Sequence, residues 1–597
     1  MNKQFVFIVV STILVLFWVL MDSSFIRYFE SFKLRISTTF SEISTYHENS
    51  QLLLLVQKEK LTCQLPEFTS IEQCRNINKE NTCSYTCKCY KYLTIKLPGV
   101  YQIPISTPIQ DMVSVEAMTL RDPEFLDLSD TASVKLTKLS FLTSVDNIRV
   151  GDEFKILIQL FDGAGRPRQV GGDDVRVWIK SSDFVYKASG EVVDHYNGTY
   201  VATFKAIWEG NSLIFFKLAY TREELATRFM WNRQYGTLSY LVGQYKKAEV
   251  VEYTPCTFFQ TIPGHGEVCN FTMLNNGQPW YCGKPNSTKL GCADINLFKE
   301  YGQTHIPLTK AQRELIFNRK SHNRILKTKL KFHFQNGQLL KLNQNCNVLD
   351  KKETWNTKMP SGYFNSSKWI SLKCKNTLDN SSFESCLKNM DVIIMGDSTT
   401  RQYFSYITSK VVHDCILVTE KWKWPQWHSP SKCVSKNRNL TISWNPHELP
   451  FSDAKLQGGE LNLKSTARIL NELPSNRKIV FVIHYYAHMI RQHSAIVLRA
   501  IRGLKSAIKK ALSRNKNVVI AVKTPHSFGE SRCESHFADF MGPVFIELFN
   551  REFRELQDSI LNLNVWEMSV ASENFLLHPK EIIVREHLRM LFGYICN

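Results

Sequence analysis

The stretch DVIIMGDSTTRQ, residues Asp391–Gln402, decides how the C-terminal part of the chain folds. Val392–Met395 is a continuous apolar run of strand length, which suits a strand buried on both faces of a parallel sheet. It runs straight into Gly396, Asp397 and Ser398, and Thr399 and Gln402 have the spacing of a capping box, so a helix is expected to open here. Gly396 permits a tight turn close to a bound substrate. Ser398 then sits where the N–H groups of a helix N-terminus can stabilise an oxyanion. This is the logic of a nucleophilic serine, although the sequence is not G-x-S-x-G. The bland reading is a strand-to-helix turn in which the serine only caps.

Working outward, Ile479–Ile483 (IVFVI) and Asn517–Val522 (NVVIAV) are further apolar runs of strand length. Between them, Ile496–Leu512 carries Val497, Ile501, Leu504, Ile508 and Leu512 at helical spacing, with Arg499, Lys505 and Lys509 on the other side. Strands alternating with helices predict an α/β domain with a mainly parallel sheet and flanking helices over 351–597. Ligand sites in such sheets lie at the carboxyl ends of the strands. A serine nucleophile needs a base. His578, in the loop before a final helix expected near Lys580, is the leading candidate. His488 and His526 each follow another strand end and are alternatives; for each, a structural histidine is the competing reading.

The N-terminal half has a different period. Glu153–Phe161, Val175–Lys180, Thr199–Phe204 and Ser212–Leu218 alternate or are rich in β-branched and aromatic residues, with Gly, Asn and Asp clusters between them. That predicts a β-sandwich over 131–252. Its stretch DHYNGTYVATFKAIWEG (Asp194–Gly210) resembles the strand-turn-strand signature of filamin-type immunoglobulin-like repeats. Residues 22–130 read as a cysteine-containing stem. Residues 253–350 read as a connecting region with four cysteines, then a basic stretch with eight Lys or Arg against one acid between Lys310 and Lys331.

With 597 residues, 43% hydrophobic and 22% charged, the chain is neither wholly disordered nor collagen-like. Phe5–Met21 is seventeen residues without a charge, and no other run is long and apolar enough to span a bilayer, so a polytopic membrane protein is excluded. Segment 1–21 is read as an uncleaved signal anchor, with a cleaved signal peptide as the alternative. Both readings put the rest of the chain in the secretory pathway: a Golgi single-pass type II membrane protein in the first case, a secreted one in the second. Sixteen cysteines agree with a disulfide-forming compartment. The run Cys83, Cys87, Cys89 lacks a second ligand pair at zinc spacing, so no metal site is expected. Sequons occur at Asn197, Asn270, Asn286, Asn365, Asn380 and Asn439 and are compatible with N-glycosylation. The formal charge of +19 favours anionic partners, and in this compartment those are acidic glycans or membranes rather than nucleic acid.

The segments IIMGDSTTRQYF (Ile393–Phe404), Tyr486-Ala487-His488, VWEMSVASENFLLHPKEIIV (Val565–Val584) and FDGAGRPRQVGGDD (Phe161–Asp174) resemble the neurexophilin and PC-esterase domain (NXPE) family. The resemblance implies an immunoglobulin-like, neurexophilin-like sandwich followed by a PC-esterase domain of the SGNH or GDSL type. Relatives with that domain include glycan O-acetyltransferases that pass an acetyl group through a serine ester. Position by position, Ser398 matches the nucleophile, Gly396 and Asp397 its turn, Arg401 the arginine after the motif, and His578 the catalytic histidine. The chain departs from the pattern at Phe575, where an Asp usually precedes the histidine by three residues; Glu567 or Glu573 is then expected to substitute. His484 stands where glycine is more common. The block-three Asn of SGNH enzymes has no evident counterpart, so His488 is expected to supply that donor.

The implied function is a glycan O-acetyltransferase or acetylesterase of the secretory pathway. The acceptor class is sialylated, mucin-type glycans. No bound cofactor is expected, and acetyl-CoA is the donor that fits. The alternative is a neurexophilin-like binding glycoprotein, secreted or membrane-bound, carrying a degenerate esterase domain.

Overall fold

The computed structural model describes residue 105 and residues 107–596, except 124–126, 145, 238, 303–307, 318–324, 340, 419–427, 452–453 and 530–537. The expected anchor at 1–21, most of the stem, its five cysteines and Cys533 lie outside the described residues. Among the described residues, no helix is long and apolar enough to cross a membrane.

The C-terminal region is built on one seven-stranded sheet. Its order is Ile416–Val418, Ser431–Ser435, Leu440–Pro446, Met390–Gly396, Lys478–Ile483, Val518–Lys523 and Leu561–Leu563. The last five run parallel; the first two pair antiparallel at one edge. The parallel strands are apolar on both faces because helices cover both. On one side, Val497, Ile501, Leu504 and Ile508 of the helix Ser494–Arg514 pack on Ile479, Phe481, Ile520 and Val522. On the other, Tyr403 and Phe404 of Ser398–Tyr406 and Leu588, Leu591 and Phe592 of Glu581–Gly593 pack on Val392, Ile394, Val480 and Val482. From Met390–Gly396 the chain first adds strands on one flank, then crosses to the other. That reversal of strand order opens a crevice beyond the carboxyl end of Met390–Gly396, where ligands bind in open α/β sheets.

Upstream, a four-stranded antiparallel sheet faces a six-stranded one across a shared core. Phe154, Ile156, Ile158, Tyr200, Ala202 and Phe204 come from the first sheet, and Val175, Val177, Ile179, Ile214, Phe216 and Phe334 from the second. The strand Asp174–Ser181 shows what period two does. Val175, Val177 and Ile179 face this core, whereas Arg176, Trp178 and Lys180 point out of its back. All six are buried, because the back of the sheet lies against the C-terminal region. There Trp178, Leu213 and Phe215 meet Val570, with Trp566 packed beside them.

Residues 253–350 do more than connect. Val250–Thr257, Val268–Asn270, Tyr281–Gly283 and Ile295–Gly302 join a third, seven-stranded sheet that also takes Ala454–Gln457 and Glu460–Leu461 from the C-terminal region. The basic stretch contributes the helix Lys310–Phe317 and the strand Ile325–Phe334, which extends the six-stranded sheet beside Gly210–Tyr220. Sequence alone hid this because alternating lysines and apolar residues look the same in a solvated linker and in a half-covered edge strand. Among the described residues five disulfides are present: Cys256–Cys282, Cys269–Cys292, Cys346–Cys374, Cys386–Cys596 and Cys415–Cys433. The sequon side chains of Asn197, Asn270, Asn286, Asn365 and Asn439 are exposed; that of Asn380 is outside the described ones.

Candidate active site

The strand Met390–Gly396 ends at a glycine because no other residue fits. A Cβ there would lie 2.7 Å from Thr400 Oγ1 and 2.8 Å from the His484 carbonyl oxygen, at a backbone φ of +156°. The helix begins at Ser398, and its N-cap is Asp397 rather than Thr399: Asp397 Oδ1 accepts from the Thr399 N–H at 2.9 Å and from Thr399 Oγ1 at 2.6 Å. Asp397 Oδ2 accepts from the Ala487 N–H at 2.7 Å, which ties the Gly-Asp-Ser turn to the segment after the neighbouring strand. Gln402, expected to complete a capping box, instead donates from Nε2 to the Pro579 carbonyl at 2.9 Å. The Ser398 N–H is the first of the helix, a position that has no intrahelical acceptor.

Asp397 is fully buried. Burial opposes its ionisation, but His484, His488, Lys523 and the Thr399 hydrogen bond outweigh it and hold the carboxyl well below the usual carboxylate range. Beside it, His484 Nδ1 donates to the Lys523 carbonyl at 3.0 Å, so Nε2 is left as the acceptor for Lys523 Nζ at 3.2 Å. That tautomer makes the 3.5 Å approach of Nε2 to Asp397 Oδ2 a contact with a neutral ring, not an ion pair. Burial and the lysine push the His484 pKa down to about 3, against the pull of Asp397. Burial also brings Lys523 down to about 7, although Asp397 works to raise it.

Ser398 Oγ lies 2.7 Å from His578 Nε2, across 180 residues of chain. Although the residue is exposed on its outer side, partial desolvation of the ring lowers the His578 pKa, partly offset by Asp397, so the imidazole is neutral at neutral pH with a lone pair for the serine proton. The histidine loop is held from several sides. Gly529 N–H donates to the Phe575 carbonyl at 3.0 Å, and His526 Nε2 to that of Leu577 at 2.8 Å. Asn574 Nδ2 donates to the Ser527 carbonyl at 2.8 Å. His526 is therefore a loop support behind the dyad, not a base. Glu573 has φ +54°, a left-handed conformation that costs a residue with a side chain roughly 1 kcal/mol or more.

The carboxylates expected to orient His578 are committed elsewhere. Glu567 accepts from the Ser361 N–H at 2.8 Å and from its hydroxyl, and burial raises its pKa to about 7 against those hydrogen bonds. Glu573 accepts from Trp178 Nε1 at 3.1 Å and pairs with Lys180. Both expectations are corrected: these acids hold neighbouring elements together. Phe575, in the acid position, is exposed, with Lys217 Nζ 5.2 Å above its ring. Arg401 reaches over Trp444, its guanidinium 5.5 Å from the ring.

His488 stacks on Phe451 at 4.0 Å between ring centroids, with His447 and His428 edge-on at 6.0 and 6.2 Å. Burial lowers its pKa well below the ordinary value. Neighbouring His447, Asp397, His428 and His578 also act on its charge, so the ring lies within electrostatic reach of the dyad. The sequence assigns no role to His484, Lys523 or Asn574, and to Gln402 only that of closing a cap. A signal existed for Lys523 and His484, since both are polar residues closing an apolar strand run.

Two family models match the chain. The model described as Neurexophilin covers residues 138–306, and the one described as NXPE family member 4-like, C-terminal domain, covers 369–596. The first spans the four-stranded sheet, half of the six-stranded one and most of the third sheet, and the second spans the parallel sheet together with Ser398 and His578. The two matches in this order along one polypeptide make the chain a member of the NXPE family.

Proposed function

We propose that the chain is an acyl-transfer enzyme of the secretory pathway that moves an acetyl group to a glycan hydroxyl, using an SGNH-type serine site. The observation that carries this reading is the 2.7 Å contact between Ser398 Oγ and His578 Nε2. In the first half-reaction Ser398 Oγ attacks the acetyl carbonyl while its proton passes to His578 Nε2. The Ser398 N–H and the helix N-terminus face the negative charge that develops on the carbonyl oxygen. Collapse expels the leaving group, which takes the proton from His578, and an acetyl-serine remains. In the second half-reaction a sugar hydroxyl attacks that ester. His578 accepts the hydroxyl proton and returns it to Ser398 as the acetylated sugar departs. Acetyl-CoA suits the first step because a thiol is a good leaving group. Sialylated acceptors suit the net charge of +19. A Golgi membrane location follows from the reading of Phe5–Met21 as an anchor.

Glu567 and Glu573 are not needed for this chemistry, since serine hydrolases keep activity at reduced rate when the third member of a triad is removed. Phe575 favours the second reading, a binding glycoprotein in which the site is idle. Labelling by a serine-reactive fluorophosphonate, joined to mass spectrometry of cell-surface glycans, separates the two. The enzyme reading requires labelling that Ser398→Ala abolishes, and a gain of one acetyl on glycans that this variant cannot produce. Equal labelling of both proteins, with no acetyl difference, would leave the binding reading standing.

A further inference from the structure

We infer that the β-sandwich is a working part of the acyl-transfer site, with Lys180 and Trp178 acting as positioning residues for the loop that carries His578. The inference rests on the proposed chemistry for its rate readout but on geometry for its substance. The back of one strand, Asp174–Ser181, presents Arg176, Trp178 and Lys180 in a row. Trp178 Nε1 donates to Glu573 Oε1 at 3.1 Å, and Lys180 closes on Glu573 Oε2. Arg176 Nη1 donates to Ser527 Oγ at 2.8 Å and to Asp539 Oδ2 at 2.6 Å, and the Ser527 carbonyl accepts from Asn574. From the next strand, Lys217 Nζ sits over the Phe575 ring. Three consecutive loop residues, Glu573, Asn574 and Phe575, are thus reached from the sandwich directly or through Ser527.

These contacts are built, not incidental. Lys180 and Trp178 are 6% and 2% exposed, and a buried lysine without its carboxylate is strongly disfavoured. Glu573 keeps a left-handed backbone, which persists only where surroundings over-determine it, and its two side-chain partners both come from the sandwich. The sandwich thereby fixes the loop backbone three to five residues before His578, and an imidazole is held against a serine only as firmly as the loop that carries it.

The test uses the full lumenal chain with Lys180→Met, Lys180→Arg and Glu573→Gln. The rate of Ser398 labelling by fluorophosphonate is followed across pH, and amide hydrogen exchange is followed in 573–578. Lys180→Met and Glu573→Gln are expected to slow labelling about tenfold at every pH and to speed exchange in that loop. Secretion and the exchange of the strand Met390–Gly396 should stay as in the parent. Lys180→Arg should recover most of the rate. Loop exchange and labelling both unchanged in Lys180→Met would overturn the inference. If the parent itself fails to label above Ser398→Ala, the catalytic reading falls. Faster loop exchange in Lys180→Met would then still support the mechanical coupling, and unchanged exchange would end it.

Discussion

The two halves of the dyad are held in place by opposite means. Ser398 stands at the end of a strand with hydrogen-bonded neighbours on both sides, on a turn capped by a fully buried aspartate. Its position follows from residues adjacent to it in sequence and from one central sheet. His578 lies in an exposed loop without regular structure, and its position depends on Gln402, Ser527, Gly529, His526, Trp178 and Lys180, scattered over several hundred residues. The place of Ser398 is a property of a local motif. The place of His578 is a property of the whole assembled domain pair.

That contrast is sharpest in stability. Asp397→Asn keeps the shape but leaves the Ala487 N–H facing an amide that cannot accept on both sides, and it strips the buried Lys523 of its counter-charge. A loss of about 3 kcal/mol is expected. His578→Ala, at an exposed loop, should change stability by less than ~1 kcal/mol. Urea denaturation monitored by tryptophan fluorescence checks both, and similar losses for the two variants would break the comparison. The carboxyl of Asp397 is held low, so its contribution is complete above the ordinary aspartate pKa and fades as the pH falls below it.

Gln402→Ala cuts the direct tether from the helix that opens at Ser398 to Pro579, and a rate loss of about tenfold with unchanged folding is expected in the labelling assay. The smallest effect concerns pH. Because burial outweighs Asp397 at His578, the imidazole stays neutral below its ordinary pKa of 6.5, so the labelling rate should reach half its plateau on the acid side of that value. A midpoint on the alkaline side would mean that the carboxylate field dominates the loop instead.

The same contrast explains what could be read from the residues alone. VIIM, IVFVI and NVVIAV announced parallel strands because burial on both faces leaves an unbroken apolar run, and Ser494–Arg514 announced itself by its stripe. The Gly-Asp-Ser turn was legible for the same local reason. Residues 253–350 were not, since their strands are short, half-covered and paired with segments far along the chain. Nor was the fate of Glu567 and Glu573: a carboxylate near a histidine in sequence says nothing about which strand will arrive to claim it. The VRVWIK pattern did hold a hint, for Arg, Trp and Lys on one face of a strand seldom pay for themselves against water alone.

One strand, Asp174–Ser181, belongs to two interiors at once, with its odd-numbered apolar residues in the sandwich and its even-numbered ones against the second half of the molecule. A seam drawn between the two would tear both cloths. The halves are thus not beads on a string, for alternate positions of this one strand answer to two masters.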